Sequence, residues 1–396
     1  MLSKKALSIN PSPTMAIDSK AKEMKSQGLD VIGFGAGEPD FDTPEHIREA
    51  AKKAITEGHT RYTSAAGTPE LKEAVAAKLK RENGLSYEPG QIVISNGAKH
   101  SLSNIFTALL NPGDKVMIPV PYWVTYPELV SLNDGIPVAI ETTEENSFKA
   151  TVEDLEKGAS DKTRALVLNS PCNPTGQIYS EEELRRVAEF CCENNIYIIS
   201  DEIYEHLIYG DHQQTSTASF NQKAKEMTII VNGVSKSYAM TGWRIGFTAS
   251  APDIAKVMSS IQSHTASNPN SIAQKAAVTA LNGPQECVEE MRIAFDKRRK
   301  YMYEQVTATP YLHALEPQGT FYMFVSVKET IGKTFNGTNI SSSNDFASLL
   351  LENQKVAVVP GTGFGASNFV RLSFATSMDN IVEGLKRIGS FVGDLK

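Results

Sequence analysis

Short apolar segments alternate with longer amphipathic segments through the middle of the chain. The apolar segments are rich in Ile and Val and predict buried strands, and the longer segments predict helices. Strands are predicted at 91–95, 115–118, 163–169, 196–200 and 228–233, and a further one starts at 244–248. Helices are predicted at 181–193 and from the turn at 96–100 through Leu110. This order predicts a mostly parallel sheet with helices on both faces.

The two ends of the chain have a different pattern. Helices are predicted at 16–27 and 44–58, and Thr43 is a plausible N-cap for the second. Residues 251–300 are predicted to be largely helical, with a break at Asn282-Gly283-Pro284 that lies near the expected domain boundary. The remaining elements form a smaller α+β domain, with strands at 320–325, 355–359 and 369–374 and a closing helix at 379–394.

Composition and charge exclude some classes of function. The chain of 396 residues is 41% hydrophobic and 21% charged, which is ordinary for a globular protein with a sizeable core. The net charge of −7 has no basic run behind it, so we expect no nucleic-acid partner. The four cysteines form no C-x-x-C pair and are interpreted as reduced thiols. No segment resembles a signal peptide or a membrane span, and a cytoplasmic protein is expected.

Lys236 lies in the connection between the strands at 228–233 and 244–248. A lysine amine that attacks a carbonyl carbon needs its pKa lowered by burial or by neighbouring cations. Arg244 is a candidate for that cation, and together with the Ser235 hydroxyl it is also a candidate for binding a phosphate. From spacing alone, an ordinary lysine in a loop is the simpler interpretation.

A second stretch of the sequence favours a functional role for Lys236 instead. Asp201 and Tyr204 follow the strand at 196–200, and the carboxyl ends of strands are where ligands bind in an open α/β sheet. A pyridoxal phosphate site needs a lysine, an aspartate for the ring nitrogen and a phosphate cradle. The strand-to-helix turn at Gly97 and Ala98 offers free amide groups suited to phosphate, although many such turns look alike.

Three motifs in this order resemble the fold-type I aminotransferases, which use pyridoxal 5′-phosphate. They are Asn173-Pro174-Thr175-Gly176, Asp201-x-x-Tyr204, and Ser235-Lys236 followed by Arg244. The pattern Ser-Lys-x-x-x-Met-Thr-Gly-Trp-Arg-Ile-Gly is similar to the bacterial aspartate aminotransferases that use a lysine for the distal carboxylate. The resemblance runs from about Pro11 to the C-terminus. It implies a large cofactor-binding domain of residues 45–285 and a small domain of residues 1–44 and 286–396.

The resemblance also implies a role for each site residue. The catalytic residues would be Lys236, which bonds to the cofactor and moves a proton, Asp201 on the ring nitrogen and Tyr204 on the phenolic oxygen. The implied cofactor contacts are Lys236, Asp201, Tyr204, Asn173, Ser235, Arg244, Gly97, Ala98, Lys99, Trp123 and Tyr62. The implied substrate contacts are Gly37, Trp123, Asn173, Arg371 and Lys99, and no metal is expected.

Two cations are implied for the two carboxylates of the substrate. Arg371 lies in an apolar strand, where an arginine is seldom unpaired, and its planar fork matches a carboxylate. The region 263–268 contains no arginine for the distal carboxylate. Lys99 is the implied substitute, with Ser12 and Thr14 as polar helpers. The alternative is that Lys99 only neutralises the cofactor phosphate.

The implied activity is aspartate aminotransferase, with small dicarboxylic amino acids and 2-oxo acids as partners. The resemblance further implies a homodimer in which Tyr62 reaches the cofactor phosphate of the neighbouring subunit, and cis peptides at Val120-Pro121 and Asn173-Pro174. The alternatives are an aromatic or alanine aminotransferase and a carbon–sulfur lyase. Asn10 stands where some relatives that accept prephenate have a lysine, so that activity is open. The glycine spacing at 33–37 disfavours a nicotinamide dehydrogenase.

Overall fold

The computed structural model describes residues 2–7, 9 and 13–396, without the side chains of residues 4, 6, 13–16 and 18. The expectations for Asn10, for Ser12 and for the Thr14 side chain therefore lie outside the described residues.

Helices and strands alternate through most of the described chain. The α-helices are α1 (Lys4–Leu7), α2 (Pro13–Ser26), α3 (Glu45–Thr56), α4 (Pro69–Asn83), α5 (Ala98–Leu109), α6 (Thr125–Leu132), α7 (Val152–Gly158), α8 (Glu181–Glu193), α9 (Gln222–Met227), α10 (Pro252–Thr265), α11 (Ser271–Asn282), α12 (Glu286–Ala308), α13 (Ser343–Gln354) and α14 (Met378–Gly393). The strands are β1 (Ile32–Gly33), β2 (Ile92–Ser95), β3 (Lys115–Pro119), β4 (Ile136–Ile140), β5 (Thr163–Asn169), β6 (Tyr197–Asp201), β7 (Thr228–Gly233), β8 (Gly246–Ala249), β9 (His313–Ala314), β10 (Tyr322–Ser326), β11 (Thr334–Phe335), β12 (Thr338–Asn339), β13 (Val356–Ala357), β14 (Val359–Pro360) and β15 (Phe369–Ser373). Short 3-10 helices lie at Pro89–Gln91, Thr217–Ser219, Thr241–Trp243, Lys328–Thr330 and Gly361–Phe364.

A seven-stranded sheet forms the centre of the larger part of the structure. Its strand order is β2-β8-β7-β6-β5-β3-β4, and β8 alone is antiparallel to its neighbours. The strand β7 shows why helices cover both faces: Ile230 packs into the apolar cluster with α3, α4 and α11, whereas Ile229 and Val231 pack into the cluster with α5, α6 and α10. The predicted mostly parallel sheet flanked by helices is confirmed.

A second sheet of four antiparallel strands has the order β14-β15-β10-β9. Arg371 of β15 lies opposite Phe324 of β10 in this sheet. Separately, β1 near the N-terminus pairs in parallel with β13, so that Ile32 lies opposite Val356. The apolar cluster around this sheet contains residues of α12, α13 and α14 as well as Ile32 and Phe34.

Several sequence predictions of local structure are corrected. Arg244 does not begin a strand; it has a left-handed φ of 59°, and β8 starts two residues later. Thr43 does not cap α3, because its hydroxyl donates to the Ala239 carbonyl and accepts from Trp243 Nε1. The strand predicted at 355–359 is divided into β13 and β14. Helix α4 was not predicted, and nor was β4, whose Pro137 is tolerated because β4 lies at the sheet edge.

The cis peptides expected at Val120-Pro121 and Asn173-Pro174 are confirmed, and a third is present at Ser170-Pro171. Across the described residues, none of the helices has both the length and the apolar character that crossing a membrane requires.

Candidate active site

A cavity of about 590 Å³ lies where the carboxyl ends of β5, β6 and β7 meet the start of α5 and the strand β15. It brings together nearly all of the site residues that the sequence predicts. Those that line it are Gly37, Ala98, Lys99, Trp123, Asn173, Asp201, Tyr204, Ser235, Lys236, Arg244 and Arg371. Gly97, which directly precedes Ala98, and Tyr62 are not among the lining residues of this chain's cavity.

Asp201 is the last residue of β6 and is buried. Tyr126 Oη donates a hydrogen bond to its Oδ2 at 2.7 Å, and the Ile203 amide donates to Oδ1 at 3.3 Å. Burial raises the pKa of Asp201 to about 6, even though these hydrogen bonds favour the ionised form. No salt bridge to Asp201 is present among the described residues. The carboxylate therefore suits a ligand that carries a positively charged hydrogen-bond donor.

Lys236 follows β7 in the turn that leads to the 3-10 helix at Thr241–Trp243. Its Nζ donates to the Gly37 carbonyl oxygen at 2.5 Å. Burial lowers the pKa of Lys236 to about 8; the carboxylate of Glu38 opposes this change, and Arg371 and Arg244 reinforce it. Near neutral pH the amine thus has an appreciable uncharged fraction, which is the form that attacks a carbonyl carbon.

The start of α5 forms an open anion site. Gly97 precedes the helix with a φ of 84°, and no side chain in the described part of the chain caps the first turn. A Cβ atom at Gly97 would collide with the Arg244 guanidinium group, so the glycine allows the arginine to lie against the helix start. Arg244 donates to the carbonyls of Thr241 (2.8 Å) and Asn96 (3.2 Å) and forms no salt bridge among the described residues. Amides without an acceptor, together with a guanidinium group without an anionic partner, favour the binding of a phosphate.

Arg371 is only 2% exposed. Its Nη1 donates to Asn173 Oδ1 at 2.9 Å and its Nη2 to the Gly35 carbonyl at 3.1 Å, whereas Nε has no partner among the described residues. The Tyr322 ring lies 4.0 Å from the guanidinium carbon. Burial lowers the pKa of Arg371, but an arginine remains charged. Within the described part of the chain no carboxylate forms a salt bridge with this cation, so a carboxylate ligand fits it.

Lys99 lies in the first turn of α5. Its Nζ is 5.0 Å from the centre of the Trp123 ring, and burial lowers its pKa with a further contribution from Arg244. Lys99, like Arg244, forms no salt bridge in the described residues. These two cations and Arg371 make the cavity attractive to a ligand with several negative charges.

Tyr204 and Tyr62 lie in contrasting environments. Tyr204 is buried, its hydroxyl is 3.1 Å from that of Tyr322, and burial raises its pKa well above the usual value. Tyr62 is 89% exposed.

The sequence did not single out four residues that complete the cavity. Asn169 ends β5 opposite Asp201; its Oδ1 accepts from the Asn173 amide at 2.8 Å, and its Nδ2 donates to the Asp201 carbonyl at 3.0 Å. Its position at the end of the predicted strand 163–169 could have identified it as a site residue. The other three are Tyr126, Tyr322 and Glu38, and their partners lie far away in the sequence, so no local pattern marks them.

The donor set fits pyridoxal phosphate. A buried carboxylate suits the protonated ring nitrogen, an amine with a lowered pKa suits the aldehyde carbon, and the α5 start with Arg244 and Ser235 suits the phosphate. Asn173 Oδ1 is occupied by Arg371, which leaves the Asn173 Nδ2 as a donor for the phenolic oxygen beside the Tyr204 hydroxyl.

Comparisons with known proteins agree with this donor set. The family described as Aminotransferase class I and II matches residues 29–388. The chain is 48% identical to an aspartate aminotransferase of Bacillus sp. (strain YM-2) over 392 residues, which is 99% of each chain.

Two solved structures are similar along nearly the whole chain. The aspartate aminotransferase of Rhizobium meliloti has a TM-score of 0.97 at 42% identity and covers 100% of both chains. The aspartate aminotransferase of Thermus thermophilus with maleate has a TM-score of 0.93 at 41% identity and covers 99% of both chains.

A second buried carboxyl group lies next to Asp201 in the sequence, outside the cavity lining. Glu202 accepts a hydrogen bond from Ser200 Oγ at 2.8 Å, and its Oε2 has no partner in the described structure. Burial, with the nearby charge of Glu205, raises the pKa of Glu202 to about 7.

We expect Glu202→Gln to stabilise the cofactor-free protein at pH 8 but hardly at pH 5. The folded protein holds a proton on Glu202 that the unfolded chain releases near its ordinary pKa, so the free energy of unfolding falls as the pH rises from about 4.5 to 7. Removing this carboxyl group should therefore raise that free energy by about 1–3 kcal/mol at pH 8. Urea unfolding at both pH values measures the difference. An equal effect at pH 5 and pH 8 would contradict the assignment.

Proposed function

Since the chain belongs to the class I and II aminotransferases, which use pyridoxal 5′-phosphate, we propose that it is an aspartate aminotransferase that moves an amino group reversibly between L-aspartate and 2-oxoglutarate. The names of the similar proteins support this substrate, and one of the similar structures holds maleate, a four-carbon dicarboxylate.

The observation that carries the proposal is the pair of unpaired cations. Arg371 and Lys99 line the same cavity, and neither has a carboxylate partner among the described residues. A neutral amino acid has one carboxylate and would leave one of these cations without a substrate carboxylate. Aspartate and glutamate have two. We assign Arg371 to the α-carboxylate and Lys99 to the distal carboxylate.

The chain's own residues have separate tasks in this proposal. When bound, the cofactor withdraws electrons from the bond to the substrate α-carbon that is being broken. Lys236 would hold the cofactor covalently, and its amine would carry the proton to and from the α-carbon. Asp201 would keep the ring nitrogen protonated. Tyr204 and Asn173 would donate hydrogen bonds to the phenolic oxygen, and Trp123 would supply an apolar surface for the ring.

The phosphate is assigned to the start of α5 and its neighbours. The amides of Ala98 and Lys99, the Ser235 hydroxyl and the Arg244 guanidinium group supply donors, and Gly97 lets Arg244 approach. Gly37 is assigned to the substrate carboxylate. Its carbonyl oxygen accepts a hydrogen bond from Lys236 in the structure, which supports the placement of this loop beside the reacting groups.

The alternatives are an aromatic or alanine aminotransferase and a carbon–sulfur lyase. The substrates of these enzymes have no second carboxylate. With such a substrate, the cofactor phosphate would be the anion available to Lys99. A panel of amino donors assayed against 2-oxoglutarate separates these activities. Prephenate as acceptor remains an open expectation, because Asn10 lies outside the described residues.

We further divide the chain into a large domain of residues 45–285 and a small domain of residues 1–44 and 286–396. The pairing of β1 with β13 and the packing of Phe34 with α14 support the assignment of the N-terminal segment to the small domain. The four cysteines are free, which is consistent with a cytoplasmic location.

We also propose a homodimer with shared active sites. Tyr62 is 89% exposed and does not line the cavity of its own chain, which supports a role at the site of a second copy. A closed pair with two-fold symmetry is the commonest arrangement for such a shared site.

Replacing Lys236 should abolish the covalent attachment of the cofactor. We expect Lys236→Ala to lose the visible absorbance that borohydride removes from the native protein, and to lower kcat by at least roughly 10²–10⁴-fold, the usual contribution of a placed proton-transfer group. Peptide mapping after reduction should place the label on Lys236. Lys297→Ala, which removes an exposed lysine of α12, is the control. A Lys236→Ala protein with normal turnover would refute the assignment.

Lys99→Met removes the charge but keeps an apolar stem beside Trp123. We expect kcat/KM for aspartate and glutamate to fall roughly 10- to 100-fold, because a charge-assisted hydrogen bond contributes about 1.5–3 kcal/mol. The values for phenylalanine and alanine should change much less, and Lys99→Arg should restore part of the loss. Equal losses for acidic and neutral substrates would assign Lys99 to the phosphate instead.

Hybrid dimers test the shared site. A chain with Tyr62→Ala is mixed with a chain carrying Lys236→Ala, after unfolding and refolding together. If Tyr62 serves the partner's site, each hybrid contains one site with both native residues, and activity should rise well above that of either variant alone. Light scattering should give the mass of a dimer. An active monomer, or no recovery in the hybrid, would contradict the proposal.

A further inference from the structure

A buried polar network lies beneath the turn that carries Lys236. Its centre is Lys78 of α4, which is 1% exposed. Lys78 Nζ donates to the Glu205 carboxylate and to Asn83 Oδ1 at 2.9 Å, and it lies 3.4 Å from the Glu82 carboxylate. None of these side chains lines the cavity described above. We call Lys78, Glu82, Glu205, His206, Asn232 and Ser237 the Lys78 network.

Both acids of the network are ionised at neutral pH. Burial raises the pKa of Glu82, but the hydrogen bond from His206 and the charges of Lys78 and His206 lower it to a net value of about 2. Burial likewise raises the pKa of Glu205, and Lys78 reverses this, so the pKa lies below its ordinary value. Ligand atoms of Glu82, Glu205 and His206 lie within 4.8 Å of one another, a spacing that would accept a metal ion. Lys78 already supplies a cation to both carboxylates.

His206 connects this ionised pair to the turn. Its Nε2 lies 3.0 Å from Glu82 Oε2, and its Nδ1 lies 2.8 Å from Ser237 Oγ. An ionised carboxylate can only accept, so Nε2 carries the hydrogen. The second hydrogen bond joins Nδ1 and the Ser237 hydroxyl, and Nδ1 donates it in the charged ring and accepts it in the neutral ring. Ser237 is 2% exposed, so this hydroxyl serves the turn and not an external substrate.

The network also reaches the other side of the turn. Asn232 Nδ2 donates to the Glu205 carboxylate at 2.5 Å, and Asn232 Oδ1 accepts from the Gly233 amide at 2.7 Å. Asn232 precedes Lys236 by four residues and Ser237 follows it directly. The residues that hold them, Glu205 and His206, come directly after Tyr204 in the chain.

We propose that the Lys78 network is a positioning device that fixes the backbone on both sides of Lys236 and keeps its amine in register with Tyr204 and Asp201. His206 is the positioning residue that acts through Ser237. The consequence for turnover rests on the proposed role of Lys236 as the cofactor lysine, whereas the tether itself does not.

Two substitutions at His206 separate its two contacts. The amide of His206→Asn reaches about as far as Nδ1 and can keep the bond with Ser237, whereas that of His206→Gln reaches about as far as Nε2 and can keep only the bond with Glu82. We expect His206→Gln to lower kcat roughly 10-fold or more, as loss of an outer partner that orients a reacting group typically does. The KM for aspartate should change little, and His206→Asn should retain most of kcat. His212→Gln, at an exposed histidine, is the control.

Ser237→Ala should reproduce the loss seen in His206→Gln. Because both changes remove the same contact, the double variant should be no slower than the slower single variant. Multiplied losses, or a normal kcat in Ser237→Ala, would overturn the proposal.

Hydrogen exchange of the cofactor-free protein gives a readout that does not depend on turnover. We expect amides of 233–241 to exchange faster in His206→Gln and Ser237→Ala, with native rates in His206→Asn and little change in the central sheet. Equal exchange in the Asn and Gln variants would refute the tether. If peptide mapping placed the cofactor on another lysine, the proposed function would fail, and the exchange comparison would still decide whether the network holds the turn.

Discussion

Buried charge without a partner of opposite sign is the constraint on which the cavity depends. Arg371 is buried among Tyr322, Asn173 and backbone carbonyls, and Asp201 is buried against the Tyr126 hydroxyl, yet neither meets an ion of opposite sign in the described residues. Removing an ion from water costs on the order of several kcal/mol unless it is compensated. A ligand that brings carboxylates, a phosphate and a protonated ring nitrogen supplies this compensation at each place. Ligand binding thus compensates the charges that folding leaves buried without a partner of opposite sign.

The sheet explains why these groups meet. Asn169 and Asp201 end adjacent parallel strands in register, so their side chains lie at one edge, and β7 delivers Lys236 to the same edge. Close backbone packing places the start of α5, to which the phosphate is assigned, near the same edge of the sheet. A Cβ atom at Gly246 would collide with the backbone nitrogen of Ala98, so β8 and the start of α5 can touch only because this position is a glycine. Sheet geometry and the absence of a side chain at Gly246 thus bring the start of α5 close to β8.

The sequence allowed prediction of the features whose cause is local. Strands β5 and β7 and helix α8 lie where the apolar patterns predict them, and Asp201 and Arg371 are recognisable because charged residues end or interrupt apolar strands. Lys236 lies in a turn and was recognised through its motif instead. Features that depend on distant contacts were not predictable. Thr43 has the residue type of a helix cap, but Trp243 and Ala239, some 200 positions away, bind its hydroxyl instead. Arg244 continues an apolar pattern, yet its contacts with the Asn96 carbonyl and the Gly97 turn accompany a left-handed backbone. The Tyr126 contact with Asp201 has no sequence signal at all.

The two buried networks around the reacting groups differ in how they handle charge, and this difference has a physical reason. Burial raises the pKa of Asp201, and the hydrogen bond from the neutral Tyr126 hydroxyl offsets only part of this, so the pKa responds strongly when a cation arrives. The Lys78 network must hold the Lys236 turn without changing the charge near the amine, because an uncompensated carboxylate there would raise the pKa of Lys236 and keep it protonated. Lys78 meets both Glu82 and Glu205, and Arg81 also pairs with Glu82, so two cations offset the two carboxylates. The network residues nearest to Lys236 in the sequence are the neutral Ser237 and Asn232, which hold the turn by hydrogen bonds. The pKa of the Lys236 amine therefore depends on its burial and on the charged groups of the cavity.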